Sequence, residues 1–107
     1  MVESNRALDL IFAALADATR RDILKRVSSG KYTISKLARS YAMSLAAVAK
    51  HVSVLEKAGL VTKCRSGKEK VIRIEPKAIE IAAAHLSEYE QVWAARFDAL
   101  EKLLEEN

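Results

Sequence analysis

The stretch MSLAAVAKHVSVLEKAGLV, residues 43–61, decides the fold. Ser44 is suited to cap a helix N-terminus, Val48, Val52 and Leu55 fall on one helical face, and Gly59 is a natural stop. That leaves Ala46, Ala47, Lys50, Ser53 and Lys57 pointing outward. The spacing suits a helix that lies in a DNA groove, yet the first turn, Leu45-Ala46-Ala47, has no side chain able to hydrogen-bond a base. Small side chains there let a helix approach base pairs closely, and their methyls can touch thymine methyls. The N-terminus behind Ser44 attracts phosphate. Lys50 and His51 are the groups within reach of phosphates or base edges, although His51 reads equally well as a packing residue. The helix is expected to dock on DNA with weak direct readout, its preference coming from Lys50, His51, thymine contacts and DNA shape.

Helices precede it. Leu8, Ile11, Phe12 and Leu15 predict a first helix over 5–15. Asp17 can cap a second, with Ile23, Leu24 and Val27 buried and Gly30 ending it. Thr33 can cap a short third helix carrying Ile34, Leu37 and Ala38, and a turn through Ala42-Met43 follows. After Gly59 the period changes. Residues 60–65 and 70–74 read as two strands joined by Ser66-Gly67-Lys68, a β-hairpin. Pro76 suits the first position of a last helix, unbroken to about residue 105. The expected fold is mainly α with a small β-hairpin, in the order α-α-α-α-β-β-α of a winged helix-turn-helix. One domain spans 1–107, with the helix-turn-helix at 33–58, the wing at 60–75, and dimerisation helices at 5–15 and 76–105.

Charge is sorted along the chain. Residues 1–74 hold 15 Lys and Arg against 6 Asp and Glu, whereas residues 75–107 hold 3 against 8. The basic part should face a polyanion, here double-stranded DNA, and the acidic end should face elsewhere. Lys63, Arg65, Lys68 and Lys70 make the wing cationic, and strand alternation puts Lys63 and Arg65 on one face. Thr33 and Ser35, opening the third helix, join Ser44, Leu45, Ala46, Ala47, Lys50 and His51 as candidate DNA contacts.

The last helix is too long for one small domain to cover. Leu86, Tyr89, Trp93, Phe97, Leu100 and Leu104, with Ile79, Val92 and Leu103, cover about half its circumference. Together with Leu8, Ile11, Phe12 and Leu15 they are the candidate interface of a homodimer, which would set two recognition helices about 34 Å apart.

These residues resemble the ArsR family of winged-helix repressors. LADATRRDIL (15–24), SKLARSYAMSLAAVAKHVSVLEKAGLV (35–61) and SGKEKVIRIEP (66–76) carry the likeness over nearly the whole chain. Trp93 and FDALEKLL (97–104) point to the branch that senses no metal. The resemblance implies a homodimeric, cytoplasmic repressor that binds an operator near its own promoter. Two departures stand out. Ala46, Ala47 and Ala49 replace small polar residues common in the family, which weakens the case for base-specific contacts. Metal-responsive members place a Cys-x-Cys pair where Thr33 and Ser35 stand, so that thiolate site cannot form. His85 with Glu88 is half a zinc site at best. No metal or cofactor is therefore expected, and the residues leave the effector unknown.

Cys64, the single cysteine, rules out an internal disulfide and fits a reducing cytoplasm. Flanked by Lys63 and Arg65 it reads as an oxidant sensor or, more simply, as a core filler. No apolar run approaches a membrane span, and MVESNRALDL is no signal peptide. Phosphate loops, nucleophile elbows and metal quartets are missing, so no enzyme is expected. The alternative to DNA binding is a winged-helix module that binds protein through its alanine-rich face.

Overall fold

Four side-chain caps set the helix starts in the computed structural model, which describes residues 5–106. Asn5, Asp17, Thr33 and Ser44 each accept, at 3.1 Å, the backbone N–H three residues on. They open α1 (Arg6–Leu15), α2 (Ala18–Ser29), α3 (Ile34–Ala38) and α4 (Leu45–Lys57). β1 (Val61–Ser66) and β2 (Glu69–Ile74) form an antiparallel hairpin, and α5 (Pro76–Glu105) closes the chain. The order is the expected one. Of the single domain assigned to 1–107, residues 1–4 and 107 lie outside the described residues.

α4 ends in a Schellman arrangement. Gly59 turns left-handed at φ 76°, its N–H reaches Glu56 O at 3.0 Å, and the Leu60 N–H reaches Leu55 O at 3.0 Å. That reversal drops Leu60 and Val61 straight into the core. Gly30 ends α2 differently, in extended backbone. A Cβ there would meet the Tyr32 ring at 3.0 Å, so the ring's close approach favours glycine.

The hairpin register pairs Val61 with Ile74, Lys63 with Ile72, and Arg65 with Lys70. The strands run one residue further towards the turn than the residue pattern suggests, leaving Gly67-Lys68 as the loop. Gly67 has φ 64° while Lys68 stays negative, the pattern of a type II′ turn. Tyr32 adds an unanticipated third rung, accepting the Ile72 N–H at 2.8 Å. The base is tied by the Glu75 N–H to Leu60 O at 2.9 Å.

Ile23, Leu37, Val48, Val52, Leu55 and Leu60 form a core with no measurable exposure. Ile11 belongs to that core too, which corrects its assignment to a dimer interface: α1 packs on α2, α4 and α5 of its own chain, and Ile11 points into that junction. Phe12 and Leu15 are partly buried against the same core. On α5 the face that meets the body is built from Ala78 and Ala82, small residues that let the helix sit close. No helix among the described residues is long and apolar enough to cross a membrane.

Gly59→Ala should cost about 1–2 kcal/mol, because the added Cβ meets no atom within 4 Å and only backbone strain is introduced. Urea unfolding should show a lower midpoint with an unchanged slope.

Candidate nucleic-acid interface

α4 presents its N-terminal half to solvent. Leu45 is 54% exposed and Met43, Ala46 and Lys50 lie open beside it, whereas Ala47 is half-buried. Ser44 spends its hydroxyl on the cap, accepting the Ala47 N–H. His51 turns the other way. Its Nδ1 lies 3.4 Å from an Arg20 guanidinium nitrogen, so this ring braces α4 against α2 rather than projecting from the exposed face.

Arg20 is a hub that sequence reading passed over. It donates to the Ala14 carbonyl at 2.7 Å and the Ala13 carbonyl at 3.0 Å, closing the end of α1 while facing His51. Arg21 donates to the Leu15 carbonyl at 2.8 Å. Both arginines of the Thr19-Arg20-Arg21 run therefore serve the fold. Arginines just after a helix end could have signalled this, since they can satisfy its last carbonyls.

The wing carries its cations unevenly. Lys68 occupies the turn. Lys63 reaches Glu56 on α4 at 3.6 Å, so it is partly neutralised within the chain. Arg65 and Lys70 are exposed and face each other directly across the strands, an arrangement that is mutually repulsive until an anion arrives. Lys63, Arg65 and Lys70 share one face of the hairpin, the face that also bears the Glu56 contact to α4. Cys64 lies on the opposite face with Val71, half-buried, with Sγ 3.7 Å from Thr62 Oγ1. The neighbouring cations expected to activate it thus point away.

Thr33 caps α3 and Ser35 lies in its first turn. They line a groove between α3 and the wing with Lys31, Lys36, Arg39, Glu69 and Lys70. Thr33 is occupied as a cap, while Ser35 is exposed.

The turn that delivers α4 is clamped. Tyr41 donates to Asp22 Oδ2 at 2.5 Å, Arg26 donates to the same oxygen at 2.9 Å, and the Arg26 guanidinium lies over the Tyr41 ring at 5.4 Å. The tyrosine hydroxyl, then Arg26, hold the Asp22 carboxyl below its usual 3.8. Burial, then the same carboxylate, pushes Tyr41 up to about 12.

His85 does not turn to Glu88 as a ligand pair would. It packs in an aromatic row between Phe12, 5.9 Å away, and Tyr89, 5.2 Å away. No group of three or more metal-ligating side chains occurs among the described residues. Further along α5, Leu86, Tyr89, Trp93, Phe97, Leu100 and Leu104 are 48–70% exposed in a single chain, with Val92 and Leu103 beside them. Leu10 on α1 is a further exposed apolar residue that the helical pattern did not single out.

A short helix, a turn, a glycine-ended helix and a cationic hairpin define the winged helix-turn-helix class of DNA-binding domains. A helix-turn-helix domain model matches residues 15–64. The HTH-type transcriptional regulator Rv2034 of Mycobacterium tuberculosis is 31% identical over 100 residues, 94% of this chain and 91% of its own. An ArsR-like transcriptional regulator from Rhodococcus sp. RHA1 superposes with a TM-score of 0.78 at 31% identity, over 94% of this chain and 93% of that one. The homodimeric winged helix-turn-helix DNA-binding domain of Mb0332 from Mycobacterium bovis shares the fold, with a TM-score of 0.64 at 21% identity over 85% and 91% of the two chains. The chain belongs to the ArsR family of transcriptional regulators.

Tyr41's raised pKa adds stability that is fully present below its unfolded value of 10.0 and is lost as pH rises towards 12. In a phenolate absorbance titration, the difference between the native protein and Tyr41→Phe should be one tyrosine ionising at about 12. A difference centred near 10 would remove the clamp.

Proposed function

We propose that the chain acts in the cytoplasm as a homodimeric repressor on a palindromic operator, with α4 in the major groove and the wing on flanking backbone. The observation that carries the DNA contact is the hairpin register: Arg65 opposes Lys70 on the face that also contacts α4. Lys50 supplies the charge on α4, while Leu45, Ala46 and Ala47 offer apolar contact to thymine methyls. His51 positions the helix through Arg20. A reader of this kind takes its preference from close fit and DNA shape more than from a hydrogen-bond code.

The partner is a second copy of the same chain. The apolar face of α5 from Leu86 to Leu104 stays about half exposed or more in a single chain, and with Leu8, Leu10 and the outer edges of Phe12 and Leu15 it offers a surface for a partner to cover. Paired across a two-fold axis, two α4 helices about 34 Å apart meet successive major grooves. The Mycobacterium bovis domain, described as homodimeric, supports this assembly. This role needs no catalytic group, metal or cofactor.

Mobility shifts against DNA upstream of the chain's own gene test the reading. If each protomer neutralises about 3–5 phosphates, the log–log salt slope should be roughly −5 to −9. Lys50→Ala should weaken binding and flatten that slope by roughly two units, one phosphate in each protomer. No shift even at low salt would overturn the DNA-binding role. Trp93→Glu should sediment as a monomer and lose operator affinity; a dimer that persists would place the interface elsewhere.

A further inference from the structure

The groove between α3 and the wing concentrates charge that the α4 contact leaves unused. Lys31, Lys36, Arg39 and Lys70 line it, together with the hydroxyls of Thr33 and Ser35, and Glu69 is its one carboxylate. Among the described residues none of these four cations forms an ion pair, whereas Arg20, Arg26 and Lys63 each do. Two of the four are held in place. Lys36 Nζ donates to the Lys31 carbonyl at 3.0 Å and lies 4.7 Å above the Tyr32 ring, and Lys31 Nζ donates to Ser66 Oγ at the wing turn at 3.0 Å. These contacts fix the ammonium groups and leave further N–H donors for an anion. Lys70 joins the groove to the Arg65–Lys70 pair of the wing.

A groove lined by hydroxyls and by four cations spread from α3 to the wing, none of them in an ion pair, suits a chain of phosphates better than one compact anion. We infer that it seats one sugar–phosphate strand of the operator where that strand passes between the groove holding α4 and the wing. Lys31, Lys36 and Arg39 are then phosphate-binding residues, and Glu69 weakens the contact it borders. This rests on the DNA-binding role proposed above and adds a second backbone track to it.

The test is salt-dependent binding by the full chain to its operator and to unrelated duplex. Lys36→Ala combined with Arg39→Ala should flatten the log–log slope by roughly 3.6 units, since each protomer of the dimer then leaves two phosphates unneutralised at about 0.9 apiece. It should weaken operator and unrelated DNA by the same factor, since phosphate contacts carry no sequence information. Glu69→Gln should do the reverse and tighten both several-fold, a gain that misfolding cannot produce. If both variants leave the slope unchanged while Lys50→Ala still flattens it, the groove lies off the DNA and the inference falls alone. A native protein with no affinity for DNA sinks the inference and the proposed function together. A third outcome also overturns it: Glu69→Gln raises calorimetric affinity for pyrophosphate and leaves DNA binding untouched, which would make the groove a site for a free anion.

Discussion

The left-handed turn at Gly59 is the constraint on which the rest of the structure depends. An L-residue with a side chain resists that conformation, so one glycine lets α4 stop and the chain fold back within two residues. Leu60 and Val61 then enter the core beneath Val48, Val52 and Leu55, and the same core supports helix and wing. The Glu75–Leu60 hydrogen bond closes the hairpin at its base. Because one reversal sets both elements, the direction of the wing relative to α4 is fixed by local geometry rather than by a long loop.

The fold was legible because its signals are local. Caps at Asp17, Thr33 and Ser44, the stop at Gly59 and the proline opening α5 all act within a turn of themselves, and each appears where the residue types place it. What escaped was tertiary. Nothing in the spacing of Leu8, Ile11, Phe12 and Leu15 says which of them faces its own chain, and Ile11 proved to be core. The Ala78–Ala82 seat of α5 escaped because alanine carries too little hydrophobic weight to stand out in a pattern. His51 could be resolved only by finding Arg20, 31 residues away, against its ring.

The candidate interface was legible in its charge and less so in its grouping. Sorting of basic residues into the first 74 positions indicated a polyanion-facing part, but not that Thr33 and Ser35 share a groove with Lys70. Nor did it separate working cations from structural ones. Arg20, Arg21 and Arg26 count towards the same positive excess, yet they satisfy carbonyls and a carboxylate inside the fold. Net charge thus overstates what is available to a ligand, and hydrogen-bond partners decide which part is.

α5 is seated on its own domain only by its first turns, from Ala78 to about Ser87, and from Glu88 onward every described residue is exposed. The free portion, Glu88–Glu105, is about 27 Å long at 1.5 Å per residue. It is a lever. A tilt of about 5° at the alanine seat, about 35 Å from the far end, moves that end by roughly 3 Å, on the scale of the helix shifts of about 1–2 Å by which subunit interfaces switch. In a dimer joined along these arms, that tilt would alter the separation of the two reading heads without disturbing either core.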